Sequence, residues 1–583
     1  MAFFHQFDYI FALGLIFAFL DAWNIGANDV ANSFATSVSS RSLTMKQAML
    51  IASVMEFLGA VLVGSRVADT IRNKIISPSA FEAEPAVLML AMWCALVGSS
   101  LWLTVATKIG LPVSTTHCIV GGVIGVGIAS LGGEGVNWGW KGVAQIFAAW
   151  VIAPGISAGF AVIIFLITQY GVLKRKDPLR AGFYMIPFYF AVTSGILTMV
   201  IVWKGAPILE IDDWTGGQVA GCVLGVAFGV VALYVIFLLP FLHRRLVVED
   251  WTLKPWHVLW GPLLWRRGEV PPAPEGQAVF AVQDYYRNHK TKEEVELANA
   301  ADAIPPVADD VEKQEKEPRS TAADYHSDQS SNKITPVNNS GDRGNPTLSD
   351  VEEKSLGPWY TPKNLWRKGN YYFFRGVDRD IVDEQISGKA TFLTGDLSKV
   401  HAHTPHYDNK TEHLYSFLQV LTASVASFAH GSNDVANAVG PLSAIFLVWD
   451  SGEVSSKAPV PIWILVFGGA AIVIGLWTYG YNLMRNLGNR LTLHSPSRGF
   501  SMELGSALTV ILATRLALPI STTQCITGAT VGVGLCSGTW RAINWRMVGW
   551  IYGGWILTLP IAGIIAGCLM GIIINAPTWT GPV

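Results

Sequence analysis

Apolar runs close to twenty residues long recur at both ends of this 583-residue chain, each about the length a helix needs to cross the hydrocarbon core of a bilayer. They fall near 9–38, 47–64, 86–106, 112–131, 142–169, 182–203 and 217–241, then near 414–448, 461–481, 502–518, 521–537 and 547–573. The pattern predicts an all-α polytopic membrane protein with about twelve transmembrane helices. Composition agrees, since 51% of residues are hydrophobic and only 14% charged. A net charge of −2 gives no case for nucleic-acid binding. Cys94, Cys118, Cys222, Cys525, Cys536 and Cys568 all sit in apolar runs without CxxC spacing, so they read as small buried hydrophobes rather than disulfides or metal ligands. The stretch from Tyr9 lacks a basic leader and reads as a span, not a signal peptide.

Three parts follow: an N-terminal membrane half over 1–245, a hydrophilic stretch over 246–410, and a C-terminal membrane half over 411–583. Within the middle part, Lys313 to Lys354 is rich in Ser, Asn, Asp, Lys and Pro and holds too few apolar residues to fold. The aromatic stretch Trp359–Phe374 is suited to packing or to a membrane surface. Lys174, Arg175, Lys176 and Arg180, and the run His243-Arg244-Arg245, place their loops in the cytoplasm by the positive-inside rule. The loop with Glu210, Asp212 and Asp213 then faces outside, both termini lie outside, and 246–410 is a large cytoplasmic, mostly disordered loop. Arg66, Arg72 and Lys74 fall outside and violate the rule locally. The glycosylation patterns Asn338-Asn339-Ser340 and Asn409-Lys410-Thr411 would not meet the modifying machinery in such a loop.

Two polar clusters interrupt the apolar runs. Residues 26–32 read Gly-Ala-Asn-Asp-Val-Ala-Asn and residues 431–437 read Gly-Ser-Asn-Asp-Val-Ala-Asn. A carboxylate at membrane depth costs several kcal/mol unless paired, which marks both as functional candidates. A second element is duplicated in the same order. Leu111-Pro112-Val113-Ser114-Thr115-Thr116-His117-Cys118 is echoed by Leu518-Pro519-Ile520-Ser521-Thr522-Thr523-Gln524-Cys525. The Asp residues are 405 apart and the Ser-Thr-Thr elements 407 apart. The second copy begins an odd number of spans after the first, which predicts two inverted-topology repeats with broken or re-entrant helices, the site lying where they meet. Helix breaks are expected at each Gly-x-Asn-Asp, and re-entrant segments at Pro112 and Pro519.

Pro-x-Ser-Thr-Thr reads as a helix start, with Pro in or near the first turn and a hydroxyl as cap. Helix N-termini suit anions. Two of them, with the hydroxyls of Ser114, Thr115, Thr116, Ser521, Thr522 and Thr523, can surround a tetrahedral oxyanion such as a partly protonated phosphate. Asp29 and Asp434, with Asn28, Asn32, Asn433 and Asn437, offer oxygen ligands for a hard cation; bound sodium would neutralise the carboxylates and admit the anion. Glu56 and Glu503 are further intramembrane acids. They are not repeat-equivalent, since Glu503 aligns with Leu96 and Glu56 falls near Trp463, and Glu503 sits close enough to an interface to be solvated. Gly121, Gly122 and Gly125 read as helix-packing positions, His117 as a polar core contact or site rim, and Arg41 as a topology anchor. No transition-metal site and no enzyme cofactor is expected.

Through both Asn-Asp signatures, the Pro-x-Ser-Thr-Thr elements and the large central loop, the chain resembles the inorganic phosphate transporter (PiT) family over about 1–245 and 411–583. The loop's size and the Ser-Arg-Ser-Leu-Thr after the first signature are most similar to the fungal sodium–phosphate symporters. The resemblance implies a multi-pass plasma-membrane protein that imports inorganic phosphate with sodium and is not an enzyme. It supports Asp29 and Asp434 at the ion and phosphate site, Ser114–Thr116 and Ser521–Thr523 at phosphate, and Glu56 and Glu503 as transport-essential acids. Members also form homodimers. Proton coupling, a related oxyanion such as sulfate, and a phosphate-sensing receptor remain open alternatives. A hydrolase is the weakest of them, because His117 adjoins only one of the two Ser-Thr-Thr copies.

Overall fold

The computed structural model describes residues 3–203, 211, 213–272, 282–302, 360–374, 377, 382, 393, 395–455, 458–485 and 487–576. Glu210, Asp212, Lys313–Lys354, Asn338-Asn339-Ser340 and Trp359 lie outside them. The chain divides into two compact units, Met1–Thr291 with Tyr372–Val583, and Lys292–Tyr371. In the second unit the described residues include the helix Lys292–Asp302.

The first unit is helical, and its long helices are α1 (Asp8–Ser39), α2 (Met45–Val63), α3 (Pro85–Ile109), α4 (Thr115–Leu131), α5 (Val143–Thr168), α6 (Pro178–Val202), α7 (Gly216–Leu233), α8 (Asn409–Ser451), α9 (Ile462–Tyr479), α10 (Pro496–Arg515), α11 (Thr522–Leu535) and α12 (Trp545–Asn575). Among the described residues, eight helical stretches are long and apolar enough to cross a membrane; they contain α1, α2, α3, α5, α6, α7, α9 and α12. The polar helices α8 and α10 are enclosed over long stretches. Almost every α8 residue from Val425 to Ile445 is buried, and so is α10 from Pro496 to Ala507. Other helices thus replace lipid around their Ser, Thr, Asn and Asp side chains.

The expected breaks at the Asn-Asp clusters do not occur. α1 runs unbroken through Gly26–Asn32, and α8 runs unbroken for 43 residues through Gly431–Asn437. The polar side chains find partners on facing helices, so the backbone has no reason to unwind. Their glycines serve close packing instead. A Cβ on Gly26 would collide with the Ile472 carbonyl, and one on Gly431 with the Glu56 carbonyl. Reciprocally, a Cβ on Gly475 would strike the Trp23 carbonyl and one on Gly59 the Phe428 carbonyl. These two interlocks match α1 with α8 and α2 with α9. They place Ile472, not Trp463, opposite Glu56.

The turns at Pro112 and Pro519 do separate pairs of helices, and both copies close alike. Leu111 N–H donates to the Ala106 carbonyl and Leu518 N–H to the Ala513 carbonyl, each at 2.9 Å. A left-handed residue makes each turn, Gly110 (φ 73°) in one and Ala517 (φ 51°) in the other. Gly121, Gly122 and Gly125 are packing positions, facing Leu559, Ala95 and Gly563. Cys568 departs from the expectation of burial, because it lies on an outward face of α12.

The ordered bundle reaches into 246–410 from both sides. Tyr285 and Tyr286 are buried, and Tyr286 Oη donates to Glu412 Oε1 at 2.9 Å. Asn409 opens α8 and accepts from the Tyr285 N–H (3.1 Å), which gives this residue a structural role.

Candidate functional site

Ser114 and Ser521 cap α4 and α11 with nearly the same backbone angles, φ/ψ −90°/115° and −89°/112°. Each hydroxyl accepts from an N–H three residues on, His117 or Gln524, at 3.2 Å. Each Ser oxygen thus caps its own helix end and keeps its O–H to donate, while the four Thr hydroxyls face the centre.

There the two halves cross. Thr115 Oγ1 donates to Asp29 Oδ2 (2.9 Å), and Thr522 Oγ1 donates to Asp434 Oδ2 (2.7 Å). Asn32 reaches into the other half, donating to Thr523 Oγ1 at 2.8 Å and lying 3.3 Å from Thr522 Oγ1. Asn437 does the converse, at 3.2 Å from Thr115 Oγ1 and 3.3 Å from Thr116 Oγ1. Thr116 Oγ1 donates to the Ile520 carbonyl (3.0 Å), and Thr523 Oγ1 lies 3.3 Å from the Val113 carbonyl. Asn28 meets Thr107 Oγ1 at 3.1 Å and accepts from Val113 N–H at 3.3 Å; Asn433 lies 3.1 Å from Thr514 Oγ1. All twelve predicted residues of the two signatures thus gather at one buried place. Sequence duplication, which keeps order and spacing, is what made them visible.

His430 was missed. Its Nδ1 lies 2.6 Å from Glu56 Oε2, and its Nε2 lies 2.9 Å from Asp434 Oδ2 and 3.7 Å from Asp29 Oδ2. One imidazole thus joins three carboxylates in a fully buried node. Ser427 Oγ donates to Glu56 Oε1 at 3.0 Å. The first half has Ile25 where the second has His430, so a reading led by duplication passes over it; a lone His beside Gly431 was the only signal. The ligand atoms of Asp29, His430 and Asp434 lie within 4.8 Å of one another, near enough to share a cation.

Glu503 stands apart and is fully buried, which corrects its placement at a solvated interface. Its Oε1 accepts from Thr36 (2.5 Å), Ser37 (2.6 Å) and Gln419 (3.0 Å), and its Oε2 from Thr422 (2.6 Å). Donors from α1 and α8 thus hold an α10 carboxylate. His117 is a core contact, its ring 3.7 Å from that of Trp150.

A sequence profile described as the Phosphate transporter family matches residues 25–566. The chain belongs to the phosphate transporter family. It is 53% identical to the phosphate-repressible phosphate permease pho-4 of Neurospora crassa, over 99% of each chain. It is 30% identical to sodium-dependent phosphate transporter 1 of Mus musculus, over 96% of this chain and 94% of that one. A solved structure titled the sodium-dependent phosphate transporter superposes with a TM-score of 0.65 at 25% identity, covering 98% of this chain and all of the other. These relatives are transporters, not enzymes, and this family member is likewise an integral, multi-pass membrane protein.

Proposed function

We propose that the chain is a sodium-coupled symporter that imports inorganic phosphate across the plasma membrane by alternating access. In this reading twelve helices form two inverted repeats, both termini lie outside, the 246–410 loop is cytoplasmic, and the protein works as a homodimer. The crossed hydrogen bonds carry the reading: Asn32 to Thr522 and Thr523, and Asn437 to Thr115 and Thr116, bring two helix N-termini onto one pair of carboxylates. The names of the mouse relative and of the solved structure support sodium as the coupling ion.

Phosphate takes the α4 and α11 starts, where N–H groups and the Ser114–Thr116 and Ser521–Thr523 hydroxyls supply donors and partial positive charge. Sodium takes the oxygens of Asn28, Asp29, Asn32, Asn433, Asp434 and Asn437. An anion beside two bare carboxylates is repelled, and sodium removes that repulsion, so each substrate favours the other's binding. Glu56 acts through His430, and Glu503 holds α10 against α1 and α8. The His430 node also favours a second reading, proton coupling, because an imidazole between three carboxylates offers a place for a proton.

Uptake of labelled phosphate into proteoliposomes decides between them. An inward sodium gradient raises uptake if sodium is coupled. Uptake that ignores sodium and collapses with the proton gradient establishes the second reading, and competition by equal sulfate would show a broader oxyanion carrier.

A further inference from the structure

Two turns before Asp29 on α1, about 12 Å along the axis, stands a carboxyl that the site above does not use. Asp21 is completely buried between α1 and α3. Among the described residues, Ser100 Oγ lies 3.4 Å from Oδ1 but closer, at 3.1 Å, to the Phe17 carbonyl, and the Ser99 hydroxyl also faces the carboxyl. A hydroxyl has one proton, so Asp21 holds at best a share of that of Ser100. Asp21 Oδ2 has no partner. The contrast is with Glu503, which has four donors.

The neighbours repeat this shortage of donors. Asn24 lies one turn on, on the same face, and is also fully buried. Its amide N–H groups are taken by the Leu20 carbonyl (2.9 Å) and Thr104 Oγ1 (3.0 Å), while its Oδ1 is unpartnered. The Ser99 and Ser100 side chains face the Asp21 carboxyl, and Ser99 Oγ meets no hydrogen-bond partner of its own. The group therefore presents oxygens in excess and protons in deficit.

The scaffold packs without these residues. At the repeat-equivalent places the second half has Ala426 for Asp21, Ala429 for Asn24, Ala507 for Ser100 and Ile511 for Thr104, and Ser506 alone keeps a hydroxyl. The equivalent packing in the second half is thus made without the polar cluster.

We infer that Asp21, Asn24, Ser99 and Ser100 form a binding site for a hard monovalent cation, separate from the Asp29–Asp434 centre. Carboxylate, amide and hydroxyl oxygens are hard ligands, and a single carboxylate balances a single charge. That the cation is sodium rests on the sodium-coupled reading above; that a cation binds here does not. Asp21, Asn28, Asn32 and Thr36 lie along one stripe of α1, so the site stands at one end of a polar row that passes the centre and ends at Glu503.

Equilibrium binding of radioactive sodium to the purified full chain, in phosphate-free choline buffer, tests this. Wild type should bind one more sodium per chain than Asp21→Asn, whereas Asp29→Asn should keep the sodium that Asp21→Asn loses. Equal binding by wild type and Asp21→Asn overturns the inference. If Asp21→Asn does not elute as a single folded species, Asn24→Leu and Ser99→Ala replace it. Each should weaken one class of sodium site by tenfold or more, and wild-type affinity in both overturns the inference. Sodium-independent phosphate uptake by wild type would sink the symport reading but leave the count of bound sodium to judge Asp21.

Discussion

The two halves of the membrane unit share a scaffold and differ in what they hang on it. Helix caps, turn hydrogen bonds and glycine interlocks repeat from one half to the other, as do the Asp, Asn and Thr positions. Where His430 on α8 meets Glu56 on α2, the symmetry-related places hold Ile25 on α1 and Ile472 on α9, both fully buried. Where the second half carries Glu503, the first has Leu96. The first half has its own polar addition at Asp21, opposite Ala426. Duplication thus builds the symmetric cage, and the unmatched residues give the two ends of the cage different chemistry.

Breaking the symmetric part should cost most. Asp29→Asn removes one of two central carboxylates, and uptake should fall roughly a hundredfold or more if losing a buried ionic partner costs its usual 3–5 kcal/mol. Near-normal uptake by folded protein would show that one carboxylate suffices. Making the second half resemble the first is the sharper test. His430→Ile leaves Glu56 and Asp434 without their shared partner, and uptake should fall about tenfold or more. A variant that transports normally would reduce the His430 node to packing. Glu503→Gln keeps the shape but turns an amide N–H₂ toward hydroxyl donors; a loss of about 1–3 kcal/mol in thermal stability is expected. An unchanged melting temperature would mean that the four donors are satisfied elsewhere.

A pH test concerns the ends of the loop rather than the cage. His289 and His401, within 246–410, gather with His494 where described parts of that stretch meet the bundle. His289 Nδ1 lies 3.1 Å from His401 Nδ1, and His401 Nε2 lies 2.6 Å from the Asn489 carbonyl. Burial, with neighbouring His and Arg charge, lowers His401 to about 4 and His494 to about 3 from the usual 6.5. The folded state therefore keeps them neutral. Their contribution is whole above pH 6.5 and is lost as pH falls through about 4, because the unfolded chain takes up the protons first. Melting temperature should drop across that window, and His401→Gln should flatten the drop.

The smallest effect separates the two turns. Ala517 adopts the left-handed conformation that Gly110 adopts freely, so Ala517→Gly should stabilise by about 0.5–1 kcal/mol after the entropy of glycine is counted. Gly110→Ala should destabilise by a similar amount. Opposite signs in the thermal melts would show that both turns impose the same left-handed conformation, and equal signs would show that they do not.

What the sequence revealed follows the same division. Asp29, Asp434 and the Ser-Thr-Thr residues were legible because each appears twice at fixed spacing. His430 and Asp21 appear once, against Ile25 and Ala426, and a search for repeats discards them. The partners of Glu503 were illegible for another reason: Thr36, Ser37, Gln419 and Thr422 lie far from it along the chain and meet it only through packing. The expected helix breaks were misjudged because polar residues in an apolar run look like interruptions. Their cost falls on side chains, and side chains on facing helices meet it.

The unbroken course of α1 and α8 through the centre has a consequence for movement. A helix that unwinds at its binding residues can open a site by local rearrangement, but these two are continuous beams that carry the proposed ion ligands within their length. Under the alternating access proposed above, exposing the centre to either side would swing entire rods. In that proposal the points where Gly26 meets Ile472 and Gly431 meets Glu56, backbone against backbone, would act as bearings. A single methyl group added at either bearing would jam the motion without touching an ion.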